Sequence, residues 1–205
     1  MIQVRDILVQ NSLVNKKFLE TIRIEDGKIF HLDYHQLRLN ESIKSSEIIL
    51  KELILPPQKG LYRCRVVYDE KSYEVSYHPY IKRSIKSLKL IDGKDIQYDK
   101  KYLDRSAIDA LVSQKESADD ILIVKNGLIT DTSIANIAFL YKNEWITPQE
   151  PLLYGTTRRR LLAQNKIITV QISYEDILKF EGIALMNAMI DFDIIHNKNI
   201  EDIIC

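Results

Sequence analysis

The chain has 205 residues, and its 29 basic and 29 acidic side chains cancel to a formal net charge of zero. That balance removes the global field that would draw it to nucleic acid or to an anionic membrane. Cys64 and Cys205 are too few for a disulfide framework, the four histidines fall at no metal-ligand spacing, and no apolar run is long enough to span a bilayer. The opening MIQVRDILVQ lacks the layout of a secretory signal, so a cytoplasmic globular protein is expected.

The opening stretch reads as mostly extended. Residues 18–30, FLETIRIEDGKIF, predict a hairpin in which Ile22 and Ile24 alternate with polar residues, Asp26–Gly27 turns, and Ile29 and Phe30 return. Asp33 is placed to cap a helix over YHQLRLNESIKSS that turns Leu37 and Ile43 inward. Ser45–Ser46 break the pattern, and residues 47–54 predict a second helix, stopped by Pro56 and Pro57. Residues 61–68 and 72–78 alternate as paired strands around a charged turn. These elements predict a small α+β domain over residues 1–83.

The second domain, residues 84–205, opens with SIKSLKLI as a strand. After Asp92–Gly93 and the run KKYLDR comes a helix over 106–115 carrying Ile108, Leu111 and Val112. Strands at 121–124 and 128–130 flank Asn126–Gly127, the clearest hairpin signal in the chain. Residues 135–141 and 144–147 add two strands about Lys142–Asn143. A loop at 148–154 follows, and Gly155-Thr-Thr opens a helix through Ala163. A strand at 167–172, a helix at 174–180 and a strand at 183–187 complete the domain. The fold class is α/β (α+β), with the larger, mixed sheet in the C-terminal domain.

A chemical reading rests on residues 98–136. Lysine is strongly hydrated and rarely buried, and one held in a cleft can lose its proton and attack a carbonyl. Lys101 is the candidate; Lys100 competes with it, and a solvated helix-start lysine is the ordinary alternative. Asp131 ends a buried strand and reads either as a site carboxylate or as a turn aspartate ahead of Thr132–Ser133. Gly155, Thr156 and Thr157 open a helix whose unpaired N–H groups suit an anion. Arg158, Arg159 and Arg160 set three cations in a first turn, against the macrodipole. A bound anion would offset that cost; otherwise they fan into solvent or pair with carboxylates elsewhere.

In order along the chain, FLETIR, HQLRL, KYLDR, LITD, SIAN, GTTR and MNAM together resemble the fold-type IV pyridoxal-phosphate enzymes of the class IV aminotransferase family. That family includes branched-chain and D-amino-acid aminotransferases and 4-amino-4-deoxychorismate lyase. The resemblance runs from Phe18 to Ile190 and implies a homodimer with pyridoxal 5'-phosphate between the two domains. It implies that Lys101 bonds to the cofactor and shuttles protons. Asp131, where the family usually has glutamate, would keep the pyridine nitrogen protonated, and Leu153 would pack on the ring. The phosphate would fall to Arg38, whose fork suits a pair of oxygens, and to Gly155, Thr156 and Thr157. Asn187, Ala188 and Met189 would add main-chain N–H groups.

Thr21, KYLDR and MNAM resemble the lyase members, in which the threonine hydroxyl relays a proton to the departing pyruvate. Arg63, Arg65 or Arg158 would hold a substrate carboxylate. The resemblance therefore implies conversion of an anionic amino compound, 4-amino-4-deoxychorismate, to 4-aminobenzoate and pyruvate in folate biosynthesis. A D-amino-acid or branched-chain aminotransferase is the first alternative, and a shortened homologue that binds without catalysing is the second. No metal, nucleic acid or membrane partner is expected. The chain departs from the family in its short stretch before Phe18, where NSLVNKK carries neither of the usual substrate-side motifs.

Overall fold

The computed structural model describes residues 16–43 and 47–196. The extended reading of the opening, the break at Ser45–Ser46 and the terminal Cys205 lie outside the described residues.

Two sheets organise the chain. The first is antiparallel, in the order β2-β1-β3-β4, from β1 (Phe18–Glu25), β2 (Lys28–Ile29), β3 (Leu61–Tyr68) and β4 (Tyr73–Pro79). Its first hairpin is the predicted one. Ile24 faces Ile29 across Asp26 and Gly27, whose φ values of 47° and 79° suit the twist of the flanking strands. β1 is two-faced: Ile22 and Ile24 enter a core with Leu39, Cys64 and Val66, while Leu19 and Thr21 face the opposite way.

Helix α1 (Leu32–Ser42) lies over the buried face, but in a different orientation from the predicted one. Leu37, expected inward, is 49% exposed, and the buried stripe is His35, Arg38, Leu39 and Ser42. The stripe is mostly polar because His35 and Arg38 meet Glu20 of β1 rather than an apolar side chain. Asp33 sits inside the first turn, and His31 occupies the cap. Ile43 is buried as expected, although it has already left the helix for extended backbone. The second predicted helix shortens to α2 (Leu50–Leu53), flanked by extended Ile49 and Ile54.

The second sheet contains β5 (Leu88–Asp92), β6 (Asp120–Lys125), β7 (Leu128–Thr132), β8 (Asn136–Tyr141), β9 (Glu144–Pro148) and β10 (Ile168–Val170), in the order β10-β9-β8-β7-β6-β5. β11 (Gly182–Asn187) also pairs with β8, and β12 (Asp191–His196) with β11. The β5–β6 and β9–β10 pairs are parallel and the others antiparallel. β12 was not anticipated, although Asp191, Phe192, Asp193 and Ile194 alternate polar and apolar. Helices α3 (Ser106–Val112) and α4 (Thr156–Ala163) stand where expected, α3 ending three residues early. The helix expected at 174–180 is a 3-10 helix, Tyr174–Lys179. Among the described residues no helix is long and apolar enough to cross a membrane.

Arg159 on α4 makes two hydrogen bonds to Glu41 on α1, both 2.9 Å. That pairing sets the start of α4 beside the helix that carries Arg38.

Candidate active site

A cavity of about 480 Å³ opens between the sheets and takes walls from both. From the smaller sheet come Leu19 and Thr21 of β1 with Arg63 and Arg65 of β3. Thr21 stands directly opposite Arg65 in the strand register, and Arg23 opposite Arg63, so these side chains share one face. One wall is therefore a hydroxyl set among cations.

Lys101 reaches the cavity through a seam the sequence did not announce. Leu19 N–H donates to Lys101 O (2.9 Å), Leu103 N–H donates to Lys17 O (2.8 Å), and Phe18 and Tyr102 form an antiparallel bridge. This stitches the segment before α3 to the edge of β1. Tyr102 packs on the Phe18 ring, and the Lys101 side chain lines the cavity. Burial, and after it the charge of Arg38, lower the ammonium from 10.5 to about 7, against the opposing pull of Glu20. Much of this lysine is free amine near neutral pH. Lys100 has another destination: its Nζ donates to Ser42 O (3.0 Å) and lies over the Phe18 ring.

Arg38 is buried, at 8% exposure, and it too lines the cavity. Its Nε donates to Glu20 Oε1 (2.8 Å) and its Nη2 to Glu20 Oε2 (2.6 Å). Burial by itself would raise the Glu20 carboxyl. The Arg38 charge and the hydrogen bonds from His35 and Arg38 outweigh it and hold Glu20 at about 2. An ionised Glu20 can only accept, so His35 donates from Nδ1 across 2.6 Å. Burial keeps that imidazole below its ordinary pKa, hence neutral. The carboxylate fork occupies the Nε–Nη2 side of the guanidinium. Among the described residues nothing binds Nη1.

Across the cavity, Asp131 is 4% exposed. Its Oδ1 accepts from Asn136 Nδ2 (2.7 Å) and its Oδ2 from Leu153 N–H (2.8 Å). Burial pushes the carboxyl up to about 7, while those hydrogen bonds and the nearby Arg158 charge pull the other way. Gly155 then starts α4 with extended backbone, and the first helical bond returns from Arg159 N–H to Gly155 O (2.9 Å). The amides ahead of Arg159 have no acceptor within the helix, and Thr156 and Thr157 line the cavity there.

The three arginines that follow separate completely. Arg159 pairs with Glu41 and Arg160 with Asp191, while Arg158 donates from Nη2 to Pro148 O (2.8 Å). Arg158 thus ends among main-chain carbonyls, whereas Arg63 and Arg65 stand on the cavity wall. Asn187, Ala188 and Met189 also line it. Asn187 Oδ1 accepts from Met189 N–H (2.9 Å), which takes that amide out of the set of donors expected for an anion.

Glu20, His35, Asn136 and Arg105 belong to the site as well, and the sequence reading assigned none of them a role. Glu20 had a signal: in FLETIRI it occupies the inward position of an otherwise apolar alternation with Phe18, Ile22 and Ile24. His35, Arg38 and Ser42 follow at helical spacing. Arg105 lines the cavity and donates to Ser133 O (2.9 Å).

A buried amine near neutrality, a carboxyl facing it across a cavity and an open helix start beside a half-used arginine define an enzyme site of the pyridoxal-phosphate kind. Residues 68–196 match the family model for class IV amino-transferases, and the chain belongs to that family. An uncharacterized protein of Haemophilus influenzae is 39% identical over 180 residues, covering 83% of this chain and 96% of its own. A crystal structure from Haemophilus somnus, described as a candidate 4-amino-4-deoxychorismate lyase, is 36% identical with a TM-score of 0.80, covering 86% of this chain and 98% of that one. A pyridoxal-phosphate-bound structure of a hypothetical aminotransferase from Mycobacterium tuberculosis shares the fold, with 17% identity, a TM-score of 0.69 and coverage of 91% and 82%.

Proposed function

We propose that the protein is a pyridoxal-phosphate-dependent lyase that converts 4-amino-4-deoxychorismate to 4-aminobenzoate and pyruvate, a step towards folate. The observation that carries this reading is the Lys101 amine, held near neutrality in one cavity with the Thr21 hydroxyl, Arg63 and Arg65. Similarity to the Haemophilus somnus protein described as a candidate lyase supports it.

The residues present fit the cofactor. Arg38 offers a guanidinium edge that no described residue binds, the start of α4 offers open amides and threonines, and Asp131 offers a buried carboxyl. Arg38, Gly155, Thr156 and Thr157 would hold the phosphate, Asp131 the ring nitrogen, and Leu153 the ring itself. Bound there, pyridoxal phosphate supplies a carbonyl that captures amines and a ring that draws electrons from the carbon next to the captured nitrogen.

The chain does the rest. Lys101 Nζ, a substantial part of it free amine near neutral pH, would be the amine that bonds to the cofactor and would move protons once released. Arg63 and Arg65 would fix the substrate carboxylates on the wall they share with Thr21, and Thr21 Oγ1 would pass a proton to the departing pyruvate. The same reading makes the protein a cytoplasmic homodimer whose second copy completes the substrate side, which sedimentation tests.

The experiment is incubation of the cofactor-loaded protein with 4-amino-4-deoxychorismate and no amino acceptor. Formation of 4-aminobenzoate and pyruvate is the expected result. Turnover only with a 2-oxo acid acceptor and an amino acid donor would make the protein an aminotransferase instead. Neither activity, with no borohydride-trapped cofactor on Lys101, would leave a binding protein.

A further inference from the structure

We propose that Asn136 is a positioning residue, which through its two amide N–H groups aims Asp131 at the cofactor's ring nitrogen and fixes the loop beside the ring. This rests on the reading of the cavity as a pyridoxal-phosphate site. β7 and β8 pair at a single place, Asp131 opposite Asn136. The turn between them is closed by Thr132, whose N–H donates to Ala135 O (2.9 Å) and whose Oγ1 accepts from Ala135 N–H (3.1 Å). The two side chains are thereby held side by side, both buried, both on the cavity wall.

Asn136 Nδ2 has two hydrogens, and both are used. One goes to Asp131 Oδ1 (2.7 Å) and the other to Leu153 O (2.8 Å). Leu153 N–H closes the ring on Asp131 Oδ2 (2.8 Å). The orientation of the amide is forced, because turning it over would set Oδ1 against a carboxyl oxygen and a carbonyl. The other end of the same amide lies against Gly155, where an added Cβ would overlap Asn136 Oδ1. One side chain therefore touches the acid, the ring-flanking loop and the first residue of the phosphate-facing helix. An ionised carboxylate offers about four acceptor positions. Asn136 and Leu153 fill two of them, the Leu152 amide also acts on the carboxyl, and Asp131 still lines the cavity.

The test uses the full-length protein freed of cofactor and two ligands: pyridoxal phosphate and its 1-deaza analogue, in which the ring nitrogen is a C–H. Equilibrium binding is measured by absorbance for wild type, Asn136→Ala, Asp131→Asn and the double variant. Asn136→Ala should weaken pyridoxal phosphate by at least about tenfold and the analogue far less, as expected for a lost hydrogen bond to a charged group. Added to Asp131→Asn, it should cost little more. Equal losses for both ligands, or losses that simply add, would overturn the proposal and leave Asn136 as a support of the fold. If Asp131→Asn itself treats the ligands alike, the role assigned to Asp131 is wrong and the proposal falls with it. Should Asn136→Ala melt too low to use, Asn136→Ser, which keeps one donor, carries the test with a smaller loss in the same direction.

Discussion

The carboxylate of Glu20 and the guanidinium of Arg38 meet in a buried two-point fork, Nε to Oε1 at 2.8 Å and Nη2 to Oε2 at 2.6 Å. The fork decides which face of α1 turns inward, and it offers the cavity one edge of a locked arginine. Breaking a buried pair on one side leaves the other charge uncompensated, at about 3–5 kcal/mol. Glu20→Ala should therefore lower the melting temperature by roughly 10 °C, and Glu20→Ala with Arg38→Met should recover part of it. Because the folded Glu20 sits near 2, below its ordinary 4.5, its stabilisation is full above pH 4.5 and is lost as pH falls through 2. Acid melts of wild type and Glu20→Ala should converge; curves that stay parallel would count against the pair.

Lys101 and Lys100 are neighbours in sequence and strangers in space. Lys101→Ala should cost on the order of a thousandfold in turnover, and the borohydride-trapped cofactor should map to the peptide containing Lys101. Lys100→Ala removes only a bond to Ser42 O and a place over Phe18, so most activity should remain. A trapped adduct on Lys100 would reverse the assignment.

Two buried groups should write opposite slopes into stability against pH. Lys101 has fallen from 10.5 to about 7, so between those values the unfolded chain holds a proton the folded one has released, and stability rises with pH. Asp131 has risen from 3.8 to about 7, so over that interval the folded chain keeps a proton the unfolded one has lost, and stability falls as pH rises. Urea midpoints of the cofactor-free protein should lose the upper slope in Lys101→Met and the lower slope in Asp131→Asn. Slopes that persist in these variants would mean that other groups titrate there.

Arg63 and Arg65 share with Thr21 the wall that the smaller sheet gives the cavity. Arg65→Ala should raise KM for the anionic substrate by about tenfold while leaving pyridoxal-phosphate binding as it was. Thr21→Val should lower kcat with little change in KM. A parallel loss of cofactor affinity in either variant would show that the wall serves the cofactor and not the substrate.

Much of this was legible in the sequence. The hairpins at Asp26–Gly27 and Asn126–Gly127 stand where their turn residues put them, because positive φ at both central positions is a local demand that few residues meet. The order of short motifs was enough to suggest the family, and for the three arginines at the start of α4 the sequence left a bound anion, solvent and carboxylate partners all open, of which Arg159 and Arg160 take the last.

Tertiary structure decided the rest. Apolar periodicity reports only apolar burial, so it turned Leu37 inward and could not see a stripe of His35, Arg38 and Ser42 buried beneath Glu20. Whether Lys100 or Lys101 enters the cavity depends on a one-residue register against Phe18 and Leu19, set by hydrogen bonds from a distant strand. Arg158 had the same local case for a ligand as its neighbours, and main-chain carbonyls at Pro148 and Gln149 claimed it. In each case the deciding partner lies far along the chain, and only folding brings it within hydrogen-bond reach.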